Sequence, residues 1–163
     1  MEATEKKGWT VLDRRRERGW NALPGTRWRA LSPERWRSAT GGGVGPKVVA
    51  DLVEGELATI SDQAVRDLVH RLRVEPYPVE RDWDYGGPDE RYVCWTVLEH
   101  RPSNTGVAYC EAGFGPASPW GLVFLSGPHM NVGMDSAWFA TLEDAVRESM
   151  AWDGPNPPGD EVG

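Results

Sequence analysis

From Arg91 to Leu98 the side chains alternate, with Val93, Trp95 and Val97 on one face and Tyr92, Cys94, Thr96 and Leu98 on the other. Aromatic and β-branched residues at period two specify a strand. Neither face is purely polar, so this strand, Arg91 to His100, has to sit inside a sheet covered on both sides. Arg101-Pro102-Ser103-Asn104-Thr105-Gly106 then combines a fixed φ, a side-chain acceptor and a permissive glycine, which predicts a hairpin turn. A second strand, Thr105 to Glu111, should pair antiparallel with the first. Trp120 to Ser126 is a short apolar run that reads as a third, and Val132 to Phe139 offers a fourth.

The block closes with a helix over Leu142 to Ala151. Thr141 is placed to cap it, with Asp144 three residues on, and Leu142, Ala145, Val146, Ser149 and Met150 form one stripe. Glu143 and Arg147 should pair on the outer face, and Gly154-Pro155 stops the helix. The fold class implied is α+β: an antiparallel sheet of three to four strands over about 91–139 with a C-terminal helix, 142–151, packed on it. A small helical unit over about 33–73 precedes the sheet. The junction into Thr141-Leu142-Glu143-Asp144-Ala145 resembles the end of the HicB-type antitoxin domain, a small sheet followed by a Thr-x-Glu-Glu-Ala helix. That resemblance is confined to the junction and transfers no functional residue.

Along the chain, five regions are expected: a basic Arg/Trp-rich arm (1–40), a helical pair (46–74), an acidic Pro/Gly connector (75–90), the sheet and helix core (91–152) and a loose tail (153–163). In the arm, Trp20, Trp28 and Trp36 recur every eight residues, the last two inside Arg27-Trp28-Arg29 and Arg35-Trp36-Arg37. Ser32-Pro33-Glu34 reads as a cap followed by an N1 proline, so a short helix is expected to carry Trp36. Gly41 to Lys47 imitates a phosphate loop but has Pro46 where glycine is needed and Val48 where Ser or Thr is needed. It reads instead as a joint leading into a helix with Val48, Val49, Leu52 and Val53 on its apolar side, ending near Gly55. Ser61 is expected to cap a second helix with Val65, Leu68, Val69 and Leu72 buried and Asp62–Arg66 and Asp67–Arg71 pairs outside. Pro76, Pro78, Gly86, Gly87 and Pro88 argue against regular structure in the connector, whose six acids face one base, Arg81.

The net charge of −7 conceals a polarity: residues 1–37 carry +5 and the remainder −12. A basic arm on an acidic body either folds back on its own protein or reaches for an anionic partner. No apolar run is long enough to span a membrane, and the start lacks the apolar stretch of a signal peptide, so a cytoplasmic protein with no membrane association is expected. Cys94 and Cys110 lie on strands predicted to pair; free, buried thiols are the expectation in a reducing compartment, with a disulfide as the alternative.

No catalytic set stands out. Ser126, His129 and Asp135 follow the third strand without a nucleophile-elbow signature, and Ser118 sits in a Gly/Pro-rich loop. Cys94, His100, Cys110 and His129 lack metal-ligand spacing, so no metal and no cofactor is expected. The loop from Gly113 to Trp120, flanked by Phe114 and Trp120, is the leading candidate for a small site because it joins two central strands.

The first functional expectation is a non-enzymatic interaction protein that binds a macromolecular protein partner, as an immunity- or antitoxin-like inhibitor or an accessory subunit does. Aromatics and arginines anchor interfaces, so the expected contact residues are Trp20, Arg27, Trp28, Arg29, Arg35, Trp36, Arg37, Trp83, Tyr85, Phe114 and Trp120. The first alternative is nucleic-acid binding through the Arg/Trp arm. The second is a small hydrolase-type enzyme using the 113–120 loop and a nearby histidine.

Overall fold

A computed structural model of the chain describes residues 44–83, 90–133 and 135–155. The arm (1–40) with its tryptophans and arginines, Tyr85 and most of the tail lie outside the described residues. Helix α1 spans Pro46–Thr59, with Gly45 as its N-cap and Pro46 in the first turn, where a missing N–H costs nothing. It runs straight through Gly55 rather than ending there, and it buries Val49, Val53 and Leu57. Val48 and Leu52, expected on the buried side, are instead 46% and 38% exposed, because they sit one position ahead of the stripe that meets the core.

Helix α2 spans Gln63–Leu72 and buries Val65, Leu68 and Val69 as its periodicity requires. Its cap is Asp62 rather than Ser61: Asp62 Oδ1 accepts from the Ala64 amide at 2.9 Å. The outward pairs also differ from expectation. Asp62 pairs with Arg147, Asp67 accepts from Gln63, and Arg66 reaches back to the Ile60 carbonyl.

Five strands follow one another in a meander, in the spatial order β1-β2-β3-β4-β5: β1 (Arg73–Asp82), β2 (Arg91–His100), β3 (Thr105–Tyr109), β4 (Trp120–Phe124) and β5 (Trp138–Phe139). Every pair is antiparallel. The count exceeds the expected three to four because β1 occupies the first half of the stretch expected to be an irregular connector. Its prolines are tolerated because β1 is an edge strand: Pro76 lies in the register irregularity between Arg73 and Tyr77, and Pro78 faces Trp95. The expected fourth strand shrinks to Trp138–Phe139, after a 3-10 turn at Asp135–Ala137. Asn104, with φ 57°, makes the left-handed turn between β2 and β3, a conformation asparagine tolerates.

Helix α3 (Leu142–Glu148) is shorter than its expected run to Ala151. Its capping is reciprocal: Thr141 Oγ1 accepts from the Asp144 amide at 3.1 Å and donates to Asp144 Oδ2 at 2.8 Å. Glu56 of α1 adds a second cap by accepting from the Leu142 amide at 2.8 Å. Arg147 then ties three segments together, donating to Glu143 and to Asp62 while its guanidinium lies 5.2 Å from the Trp152 ring. The three helices all contact the sheet, α1 on β1 and β2, α2 on β2, and α3 on β4 and β5.

The two sheet faces differ in chemistry. Pairing of Glu80 with Val93, Pro78 with Trp95, and Trp95 with Tyr109 places these side chains on one face. Tyr77, Val79, Arg81, Tyr92, Cys94 and Thr96 occupy the other. The segment after β4 crosses back to the far edge of the sheet, where the Val132 amide donates to the Asp82 carbonyl at 2.9 Å and Asn131 bridges Asp82 in parallel. That crossing seals Arg81, which is 0% exposed.

Candidate functional site

A groove of about 690 Å³ opens on the face of Val93 and Trp95, between the start of α1 and the ends of β1–β3. Strand register builds it: β2 contributes Arg91, Val93 and Trp95, β3 contributes Tyr109, and β1 contributes Glu80. Val44, just ahead of α1, closes one side, and Ala112 and Pro116 from the loop after β3 close another. The 113–120 loop singled out in the sequence therefore does border a cavity, through Pro116.

Chemically the groove has an apolar floor and an acidic rim. Trp95 and Tyr109, the aromatic part of that floor, are nearly buried, at 2% and 9% exposure. Burial, reinforced by the neighbouring Glu111 carboxylate, pushes the Tyr109 hydroxyl above its ordinary range, so it remains a neutral phenol at physiological pH. Glu80 and Glu111 stand at the rim. Arg91, the cation there, is engaged by Asp82, its Nε donating to Oδ1 at 2.9 Å. Tyr92 donates to Glu90 at 2.7 Å, and that bond to a carboxylate pushes its pKa up. Among the described lining residues carboxylates thus outnumber cations around an apolar trough, a combination suited to the aliphatic stem and charged head of a lysine or arginine side chain.

The expected contact residues divide. Trp83 and Phe114 meet each other with ring centroids 4.8 Å apart, and Trp83 packs edge-on to Tyr92 at 5.4 Å. Phe114 also lies 5.8 Å from Trp138, so these aromatics form one cluster beside the hairpin of β1 and β2. Trp120 is a core residue: it is 2% exposed, packs 5.1 Å from Tyr109 and does not line the groove. Trp20, Arg27, Trp28, Arg29, Arg35, Trp36, Arg37 and Tyr85 fall outside the described residues. Glu80, Tyr109 and Glu111 were missed as site residues because in sequence they are ordinary strand positions. Only the β1–β2–β3 register brings them together.

Candidate chemical groups are dispersed. Ser126 is locked into a two-way clamp with Asn104, donating to its Oδ1 at 2.8 Å and accepting from its Nδ2 at 2.9 Å. His129 lies against Phe124, and His100 Nδ1 is 2.7 Å from Ser103 Oγ within the β2–β3 turn. Among the described residues, no group of three or more His, Cys, Asp or Glu side chains is arranged to hold a metal ion. No described helix is long and apolar enough to cross a membrane. Comparison with known proteins returned no match to any family model, any curated protein or any solved structure.

Proposed function

We propose that the chain is a non-enzymatic interaction protein of the cytoplasm that binds a protein partner, as an inhibitor of immunity or antitoxin type or as an accessory subunit, by receiving a basic segment in the acid-rimmed groove. The observation that carries this reading is the pairing of an apolar floor at Val93, Trp95 and Tyr109 with the carboxylates of Glu80 and Glu111 in a cavity of about 690 Å³. Complementary charge at such a rim raises the association rate, and the covered trough supplies the slower dissociation. The −12 carried by the chain beyond residue 37 strengthens the same preference for a cationic partner and disfavours a polyanion at this face.

The test is calorimetric titration of the full chain with an oligo-arginine peptide, and with an oligo-glutamate peptide of equal length. Saturable one-to-one binding of the basic peptide alone is expected, weakening with added salt, and falling roughly tenfold or more in a Glu80→Lys, Glu111→Lys double variant. Equal affinity in that variant, or no binding of the basic peptide, would refute the groove as the site. In the native host, a photo-crosslinking residue at Val93 should give one dominant protein adduct that the double variant loses.

A further inference from the structure

Arg81 is a buried cation whose partners do not account for it. Its Nη2 donates to the Phe124 carbonyl at 2.9 Å, its Nη1 faces the Met130 sulfur at 3.9 Å, and its Nε has no hydrogen-bond partner. No described carboxylate is paired with it. A guanidinium does not shed its proton in a protein, so a fully buried one requires an anion nearby or a heavy desolvation cost. The groups whose charge favours it are Cys94, Tyr77 and Cys110. Tyr77 is committed elsewhere, its hydroxyl donating to Glu99 at 2.7 Å, and burial pushes it away from ionisation.

That leaves the two thiols. The β2–β3 ladder pairs Trp95 with Tyr109, and continuing it by one residue sets Cys94 directly opposite Cys110, on the same face as Arg81. Both are free and buried. Burial pushes the Cys94 thiol well up, with the neighbouring Cys110 adding to the shift, and its Sγ donates to the Tyr92 carbonyl at 3.9 Å. Cys110 moves the other way: the Cys94 hydrogen bond, the amides of Gly113 and Ala112, and the Arg81 charge all favour its thiolate over the opposing effect of burial.

We propose that Cys110 and Cys94 constitute a redox-active dithiol site with Arg81 as its counter-ion, and that its oxidant is a small hydroperoxide. Enclosure selects the oxidant class: Cys110 is 1% exposed beneath the Gly113 loop, where Val132 and Trp83 also approach, so a protein disulfide cannot reach it but a hydroperoxide of few atoms can. The Cys110 thiolate attacks one peroxide oxygen, forming an S–O bond and breaking O–O; the departing oxygen takes a proton from solvent. Cys94 sulfur then attacks Cys110 sulfur, S–S forms, S–O breaks, and the leaving hydroxide departs as water with the Cys94 proton. The two sulfurs together lose two electrons and the peroxide gains two. Oxidation removes from beside Arg81 the Cys110 thiol, whose ionisation its charge favours, and so loosens the crossing segment, 125–133, that seals it. This site lies on the sheet face opposite the groove and does not depend on the function proposed for it.

The experiment treats the reduced full chain with hydrogen peroxide and maps its cysteines by mass spectrometry. A Cys94–Cys110 disulfide is expected in the native protein, with faster amide exchange over 125–133. In Cys94→Ser, dimedone should label Cys110 as a sulfenic acid; in Cys110→Ser, Cys94 should stay reduced. Native protein whose thiols both survive peroxide while the denatured chain reacts, or dimedone labelling of Cys94, would overturn the proposal. Arg81→Met should slow the oxidation, because the Arg81 charge favours the Cys110 thiolate, and an unchanged rate would remove Arg81 from the site. If Arg81→Met does not fold, the ultraviolet thiolate absorbance of the native protein, and its loss in Cys110→Ser, decides the same question.

Discussion

The substitution Gly→Ala should have opposite signs at two positions of this chain, for reasons visible in the packing. Gly121 on β4 pairs across the ladder with Trp138 on β5, and the indole lies where a side chain at 121 would go. A Cβ added there would stand 2.3 to 2.4 Å from three ring atoms. The ring cannot swing aside cheaply, because it is 4% exposed and its Nε1 donates to the Val132 carbonyl at 2.6 Å. Overpacking of a filled core costs about 1–3 kcal/mol, and a displaced indole leaving a buried carbonyl unpaired adds about 1–3 kcal/mol. Gly121→Ala should therefore destabilise by about 2–6 kcal/mol. Gly55 lies inside α1 with nothing within 4 Å of its virtual Cβ, so Gly55→Ala should stabilise by about 1 kcal/mol through helix propensity alone. Urea unfolding followed by far-ultraviolet circular dichroism reads both. A Gly121→Ala variant within about 0.5 kcal/mol of the native protein would refute the reasoning, as would a Gly121→Ala, Trp138→Leu double variant that recovers none of the loss, since removing the ring must relieve the clash.

Further outcomes follow from the helix ends. Thr141→Ala removes the α3 cap and should cost about 1 kcal/mol in the same urea assay, with Thr141→Ser close to native. Asp62 is held below its ordinary value of 3.8 chiefly by the hydrogen bond from Arg147, with the Ala64 amide assisting. A carboxylate depressed in the folded state contributes stability that is fully present above its unfolded pKa and lost as pH falls through the folded one. Arg147→Gln should therefore flatten the loss of stability with pH below 3.8 in acid titrations followed by circular dichroism, and an unchanged acid limb would contradict the assignment.

The strands β2, β3 and β4 and the cap of α3 were legible because each rests on a local rule: period-two alternation, a Pro-Asn-Gly turn, or a threonine three residues before an aspartate. The edge strand β1 was not. Pro76 and Pro78 are strand breakers by local chemistry, and what makes them acceptable is an edge position and a register irregularity, both properties of the assembled sheet. The same limit explains Trp120. In sequence an aromatic at the end of a glycine-rich loop is a contact candidate, but its pairing with Tyr109 turns it into core. Ser61 was the expected cap of α2 and Asp62 takes the role instead; its carboxylate also accepts from the Arg147 guanidinium arriving from α3, far along the chain, a contact no local pattern announces.

Arg81 shows why the most informative residue carried no sequence signal at all. In the string of residues it is the one base among six acids from Glu75 to Glu90, in a stretch expected to be an irregular connector. Strand alternation decides otherwise. Glu80 and Asp82 point to the groove side while Arg81 points to the face of Cys94, so its sequence neighbours cannot neutralise it. The charge must then be met from the facing strands, and their unmet requirement falls on Cys94 and Cys110, residues that look like small hydrophobes in isolation. One strand thereby serves two unlike surfaces: its even-numbered carboxylates acidify the groove, and its single buried cation makes a thiolate tenable on the other side. Replacing Arg81 should consequently leave oligo-arginine binding at the groove unchanged while altering thiol reactivity, and a variant that changed both in parallel would show that the two faces are not separable.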